Sequence, residues 1–256
     1  MKHRFLLTEK VALVTGATGG LGKAIAIGLS GTGANVIAVG RNKTILDEVI
    51  NDIRDLDKKA LGICADISNV NNVKEMVRTS IGEFGQIDIL VNCAGISGPM
   101  KLFKDYEESE WLDIFKTNLN GTLLCTKYVG EVMIKKKKGK IINMASVLGT
   151  IGTYFTAPYG ITKAGIIQFT KNIALEWSRF NILVNSISPG MFETEMVKNI
   201  LGDPKATEVI IQGTPLRKIG KPDDIVGLVI FLASDASNHI TGQNICIDGG
   251  FSMSKY

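Results

Sequence analysis

The chain has 256 residues, 45% of them hydrophobic, which is enough for one sizeable core. Its net charge of +4 is mild, and no aromatic residue interleaves the lysine run at 135–140, so a nucleic-acid partner is not expected. No apolar run reaches the roughly 18 residues of a membrane span. The first ten residues are too weakly apolar for a signal peptide, so a soluble, cytoplasmic protein without membrane contact is expected. Cys64, Cys93, Cys125 and Cys246 lie far apart, with no CxxC pair and two histidines in all, which argues against a disulfide framework and a metal site. Their apolar neighbours predict four buried packing residues.

In chain order, 11–15 is a short apolar run ending in glycines, and 21–29 carries helical spacing. Further apolar runs at 35–39, 60–65, 87–92, 140–144, 182–187 and 244–247 bring the strands to seven. Helical patterns lie between them, including 70–84, 106–136 and 158–179. Continuous apolar strands alternating with helices imply a parallel sheet covered on both faces. The expectation is an α/β, doubly wound, mostly parallel seven-stranded fold, as one domain over 1–256. The stretch 190–219, rich in Gly and Pro, reads as a long irregular segment and a flexible cover over the site. Lys135, Lys136, Lys137, Lys138 and Lys140 fall at a helix end, where ammonium groups offset the dipole and face water. A patch for an acidic partner is the alternative.

The run Thr15-Gly16-Ala17-Thr18-Gly19-Gly20-Leu21-Gly22 follows the first strand and opens the first helix. Residues without a Cβ let a pyrophosphate approach the backbone, and the helix N-terminus adds free N–H groups. The spacing therefore predicts a dinucleotide site. The second strand ends at Val39-Gly40-Arg41. An acid here would bind ribose hydroxyls and repel a 2′-phosphate, whereas a guanidinium grips that phosphate. Gly40 with Arg41 favours NADP(H), with NAD(H) as the alternative.

Several ordered motifs extend this reading. They are Thr15-Gly16-x3-Gly20-x-Gly22, Asp66 after the third strand, Asn92-Cys93-Ala94-Gly95, and Asn118. Ser146 after the fifth strand, Tyr159-x3-Lys163, and Pro189-Gly190 with Thr194 complete them. In this order they resemble the short-chain dehydrogenase/reductase family over residues 11–251. The resemblance implies that Gly16, Thr18, Gly20, Leu21, Gly22, Arg41, Asp66, Ile67, Asn92, Ala94, Gly95, Tyr159, Lys163, Pro189, Gly190 and Thr194 hold the cofactor. It implies Asn118, Ser146, Tyr159 and Lys163 as catalytic residues, with Asp66 on the adenine. Asn118 would position a water that relays protons to Lys163. Cys93 departs from the pattern, which has a second asparagine there to hold neighbouring backbone. Single-domain relatives commonly form homotetramers through the helices over 106–136 and 158–179, with the apolar segment 245–251 suited to a second interface.

Reducing a ketone needs a hydride on carbon and a proton on oxygen. Tyr159 is the candidate acid. Lys163, four residues on, shares its helix face and would favour the phenolate. Lowering the phenol by about 3 units takes roughly 4 kcal/mol, from the lysine, a nicotinamide charge and partial desolvation together. Ser146 would hold the substrate oxygen beside it. Three functions fit. The first is an NADP(H)-dependent oxidoreductase of a secondary alcohol or ketone, on a sugar-acid or polyol substrate, because residues 171–177 are similar to gluconate 5-dehydrogenases. The second is a 3-oxoacyl carrier-protein reductase, for which Arg179 and the lysine run would meet an acyl carrier protein. The third is a non-catalytic nucleotide-binding scaffold.

Overall fold

A computed structural model describes residues 2–253. Seven strands form one sheet: β1 (Val11–Thr15), β2 (Asn35–Gly40), β3 (Ala60–Cys64), β4 (Ile89–Asn92), β5 (Gly139–Met144), β6 (Ile182–Pro189) and β7 (Asn244–Ile247). All neighbours pair in parallel, in the order β3-β2-β1-β4-β5-β6-β7. The apolar strand runs are continuous because both faces are covered. Ala12 and Val14 point into one core layer with Ile25, Leu29 and Val229, while Val11 and Leu13 point into another with Val73, Cys125 and Met133.

Nine helices lie between the strands: α1 (Gly20–Gly31), α2 (Lys43–Arg54), α3 (Val70–Phe84), α4 (Glu108–Ile114), α5 (Gly121–Lys136), α6 (Ala157–Trp177), α7 (Lys198–Leu201), α8 (Pro204–Gly213) and α9 (Val226–Ala233), counted among the described residues. Local chemistry sets their ends. Asn69 caps α3 by accepting the N–H groups of Asn71 and Asn72, and Gly85 closes it at φ 71°. The expected helix over 106–136 is two helices joined by a π-helical segment, Phe115–Asn120.

Two expectations change. The stretch 190–219 is not irregular: it holds a 3₁₀ turn at Glu195–Val197, then α7 and α8. The Gly and Pro residues read as breakers are start and stop signals. Asp203 caps α8 through the Lys205 N–H, and Pro204 occupies its first turn, where a missing N–H costs nothing. The cysteines also divide. Cys125 is buried and Cys93 half-buried, but Cys64 and Cys246 are exposed. Both exposed residues sit on β3 and β7, the edge strands, which lack a neighbour on one side.

The chain turns in opposite directions from β1 and β4, so the sheet opens a crevice between their carboxyl ends. Register keeps the crevice level, with Thr15 beside Val39 of β2 and Asn92 of β4. No described helix is long and apolar enough to cross a membrane.

Candidate active site

The crevice forms a cleft of about 340 Å³. Ser146, Tyr159 and Lys163 line it with Gly16, Thr18, Gly20, Leu21, Gly22, Arg41, Asp66, Ile67, Ala94, Gly95, Pro189, Gly190 and Thr194. Residues more than 170 positions apart are brought together here: a Cβ on Gly20 would lie 2.9 Å from the Thr194 methyl. Gly16 shows why its type is needed. Its φ is +70°, and a Cβ would stand 2.7 Å from the Ala94 Cα, so the first turn lies directly on the end of β4.

Two expected site residues do not line the cleft. Asn92 is buried and donates from Nδ2 to Thr126 Oγ1 (3.0 Å) and Asn143 Oδ1 (2.8 Å). Asn143 continues the chain to Thr170 at 2.9 Å, so Asn92 ties β4 and β5 to α5 and α6. Asn118, on the π-helical segment, clamps one residue by both backbone groups. Its Oδ1 accepts from Ile96 N and its Nδ2 donates to Ile96 O, each at 2.8 Å. With its amide engaged in this way, Asn118 fixes the backbone of Ile96, a residue of the cleft wall. Irregular π turns are common beside functional sites because they re-aim a side chain.

Lys163 is buried to 4% exposure and donates from Nζ to Met144 O at 2.8 Å. Its Nζ lies 5.5 Å from the centre of the Tyr159 ring. The turn carrying Ser146 packs tightly on α6, because a Cβ on Gly149 would sit 2.7 Å from the Lys163 carbonyl carbon. Ser146, Tyr159 and Lys163 are thus fixed relative to one another by β5, its turn and α6.

Burial dominates the electrostatics. It pushes the Tyr159 phenol up to about 12, against the pull of its hydrogen bond with Ser146. It also draws the Lys163 ammonium down to about 8. Of the three contributions expected to lower the phenol, the lysine, a nicotinamide charge and partial desolvation, the last acts in the opposite sense. Leaving water disfavours either charged form, so desolvation opposes the phenolate and the ammonium alike. The Tyr159 phenol is therefore neutral at physiological pH.

At the far end of the cleft Arg41 is exposed and makes no salt bridge among the described residues. Asp66 sits below its usual carboxylate value. Burial raises it, but the Ser68 N–H and hydroxyl and the charges of Arg41 and Lys116 outweigh that. A Cβ on Gly40 would lie 2.3 Å from the Thr18 methyl, whereas Gly19 has extended backbone and open space around it.

Sequence reasoning missed Cys93, Ile96, Thr117, Met144 and Phe192 as cleft residues. Of these, Met144 was within reach, since a lysine buried beside a strand end needs a carbonyl acceptor. The pattern's backbone-holding role at residue 93 also has another source. Thr15 Oγ1 accepts from Cys93 N at 3.1 Å and Ala94 N at 3.2 Å.

The comparisons agree with this geometry. A family profile described as enoyl-(acyl carrier protein) reductase matches residues 16–252. A 3-oxoacyl-[acyl-carrier-protein] reductase of Synechocystis is 39% identical over 249 residues, covering 96% of this chain and 98% of that one. Among solved structures, a gluconate 5-dehydrogenase from Burkholderia cenocepacia, in complex with NADP and tartrate, superposes with a TM-score of 0.95 at 32% identity, covering 98% of each chain. An NAD+-bound xylitol dehydrogenase superposes at 0.92 with 31% identity, over 95% of this chain and 99% of that one. The chain belongs to the short-chain dehydrogenase/reductase family and is an oxidoreductase acting on alcohol and carbonyl groups.

The buried lysine gives a pH signature. Unfolded Lys163 titrates near 10.5 but the folded group near 8, so between these values the unfolded chain holds more protons. Stability from this group therefore rises with pH across the window, by at most about 1.4 kcal/mol per pH unit. Urea unfolding at pH 8 and pH 10 is expected to show a larger gain for wild type than for Lys163→Met, the difference excluding other lysines. Equal gains in the two proteins would show that Lys163 is not desolvated.

Proposed function

We propose that this enzyme reduces 3-oxoacyl thioesters with NADPH as hydride source. The observation that carries the reading is the lining of the cleft. Ile96, Met144, Phe192, Met196 and Val197 contribute apolar wall, and the cations among the lining residues are Lys163 and Arg41. Among the lining residues Lys163 is tied to Met144 O and Arg41 lies at the opposite end beside Asp66. A sugar acid would bury an unpaired charge there, whereas an acyl chain gains from apolar walls. The 3-oxoacyl reductases at 39% identity and below point the same way. Polyol reduction is the second reading, favoured by the gluconate and xylitol dehydrogenase likenesses.

The residues fit a nicotinamide dinucleotide. The bare Gly16–Gly20 turn and the first N–H groups of α1, without a side-chain cap at Gly19, form a phosphate cradle. Bound there, the cofactor supplies the hydride. The chain supplies the rest. Ser146 Oγ donates to the substrate oxygen and stabilises its developing negative charge. Tyr159, held neutral by burial, gives that oxygen its proton, which suits the reductive direction. Lys163, whose Nζ lies 5.5 Å from the Tyr159 ring centre, would hold the nicotinamide ribose. Residues 190–219 act as a cover that closes over the acyl chain.

An acyl carrier protein would meet the exposed Arg179 and the lysines at the end of α5. Leu112 on α4 and Ile161 and Leu175 on α6 are exposed apolar residues, and they suit a homotetramer built on these helices. The reading also places the enzyme in the cytoplasm.

Acetoacetyl thioester is expected to be turned over with NADPH far faster than gluconate or polyols. Tyr159→Phe should lower kcat by about 10²–10⁴-fold while leaving cofactor affinity intact. Preference for gluconate would overturn the thioester reading, and wild-type turnover in Tyr159→Phe the mechanism. For the cofactor, Arg41→Ala should cost NADPH about 1.5–3 kcal/mol, roughly 10- to 150-fold, and leave NADH nearly unchanged. Equal loss for both would remove Arg41 from phosphate recognition. Sedimentation velocity at micromolar concentration should show a tetramer; a stable monomer contradicts the assembly.

A further inference from the structure

A second cavity, of about 190 Å³, lies at the other end of the sheet, against the amino ends of β4, β5 and β6. Its charged lining is three lysines, Lys10, Lys138 and Lys140, against Asp88 and Asp235, with Asn181 and Asn238 beside them. The charge is unbalanced. Asp88 is already committed, since its Oδ2 accepts from Val11 N at 2.9 Å and its Oδ1 from Lys136 Nζ at 2.8 Å. Asp235 accepts from Asn238 Nδ2 at 3.3 Å and makes no salt bridge among the described residues. None of the three lysines makes one either.

Lys140 is the informative member. It is half-buried, and its Nζ has a single protein partner, Ser237 Oγ at 3.1 Å. An ammonium has three donors, so two remain for the cavity. Burial draws it down to about 8, with Lys138 adding to that effect and Asp235 opposing it. The ordinary reason for lysines at a helix end is to satisfy the last carbonyls. Here that need is met by backbone, since Lys137 N bonds Ile134 O and Lys138 N bonds Met133 O. The volume is below the roughly 300–1,000 Å³ of sites for drug-sized ligands, which suits a small ion.

We propose that this cavity is a binding site for a small phosphate-bearing anion, held by Lys140 from the β5 end, Lys138 beside it and Lys10 from the chain entering β1. It is separate from the catalytic cleft, which opens at the carboxyl ends of the strands. The reading is independent of the substrate assigned to that cleft. A tetrahedral dianion can take several charge-assisted bonds at once, whereas a monocarboxylate offers less charge and fewer acceptors.

The test uses full-length protein saturated with NADP+, so that the cleft's own phosphate contacts are filled. Inorganic phosphate, glycerol phosphate and acetate are titrated at matched ionic strength. The ¹³Cε signals of unmodified, lysine-labelled protein follow the titration of Lys140. Phosphate is expected to bind and to raise the Lys140 midpoint by about one unit, because an anion restores the charged form. Lys140→Met should weaken phosphate at least about tenfold. Lys138→Met, at an exposed position, should weaken it by a smaller factor. This second variant keeps the test decisive if Lys140→Met folds poorly. Tighter binding of glycerol phosphate than of phosphate would mark an ester as the ligand, and the reverse order the free ion. Phosphate binding no tighter than acetate, an unmoved Lys140 midpoint, or full affinity in Lys138→Met would each overturn the proposal.

Discussion

The Thr15 hydroxyl joins the carboxyl ends of β1 and β4 by accepting the N–H groups of Cys93 and Ala94. At the point where the sheet changes winding direction there is no helix or strand to satisfy those donors. A buried side-chain acceptor does so, and the Gly16 turn and the β4 end are thereby held against each other. Asn118 extends the tie by one more residue through Ile96. Both walls of the cleft inherit their positions from these few bonds. Their loss would leave buried N–H groups unpaired, at a cost of about 1–3 kcal/mol each.

On the opposite side the same economy holds for Lys163. A nearly buried amine carries a large desolvation penalty, and a single backbone carbonyl, that of Met144, answers it. The balance leaves the lysine close to losing its proton and the phenol firmly holding its own. Burial thus favours the neutral form of both side chains.

Most of the fold was legible because strand and helix periods differ and alternate. The helix at Val70–Phe84 emerges with the expected bounds, since Asn69 and Gly85 mark both ends. The glycine turn and Tyr159-x3-Lys163 were legible because their chemistry depends on local spacing. The π-helical segment was hidden, since Phe115–Asn120 carries ordinary helical apolar spacing and no Pro or Gly to mark a break. The destination of Asn92 was hidden for a different reason. Its partners Thr126, Asn143 and Thr170 come from three other elements, and only packing brings them together. The depth at which Tyr159 is buried, and so the upward pull of desolvation on its phenol, was hidden because residue charges are visible in a sequence and burial is not.

The contact between Gly40 and the Thr18 methyl couples two positions that sequence separates by 22 residues. Any side chain at 40 would press on the Thr18 branch, so Thr18 must turn or shorten before residue 40 can grow. The two positions therefore change together: what residue 40 can become is set by the side chain standing at 18.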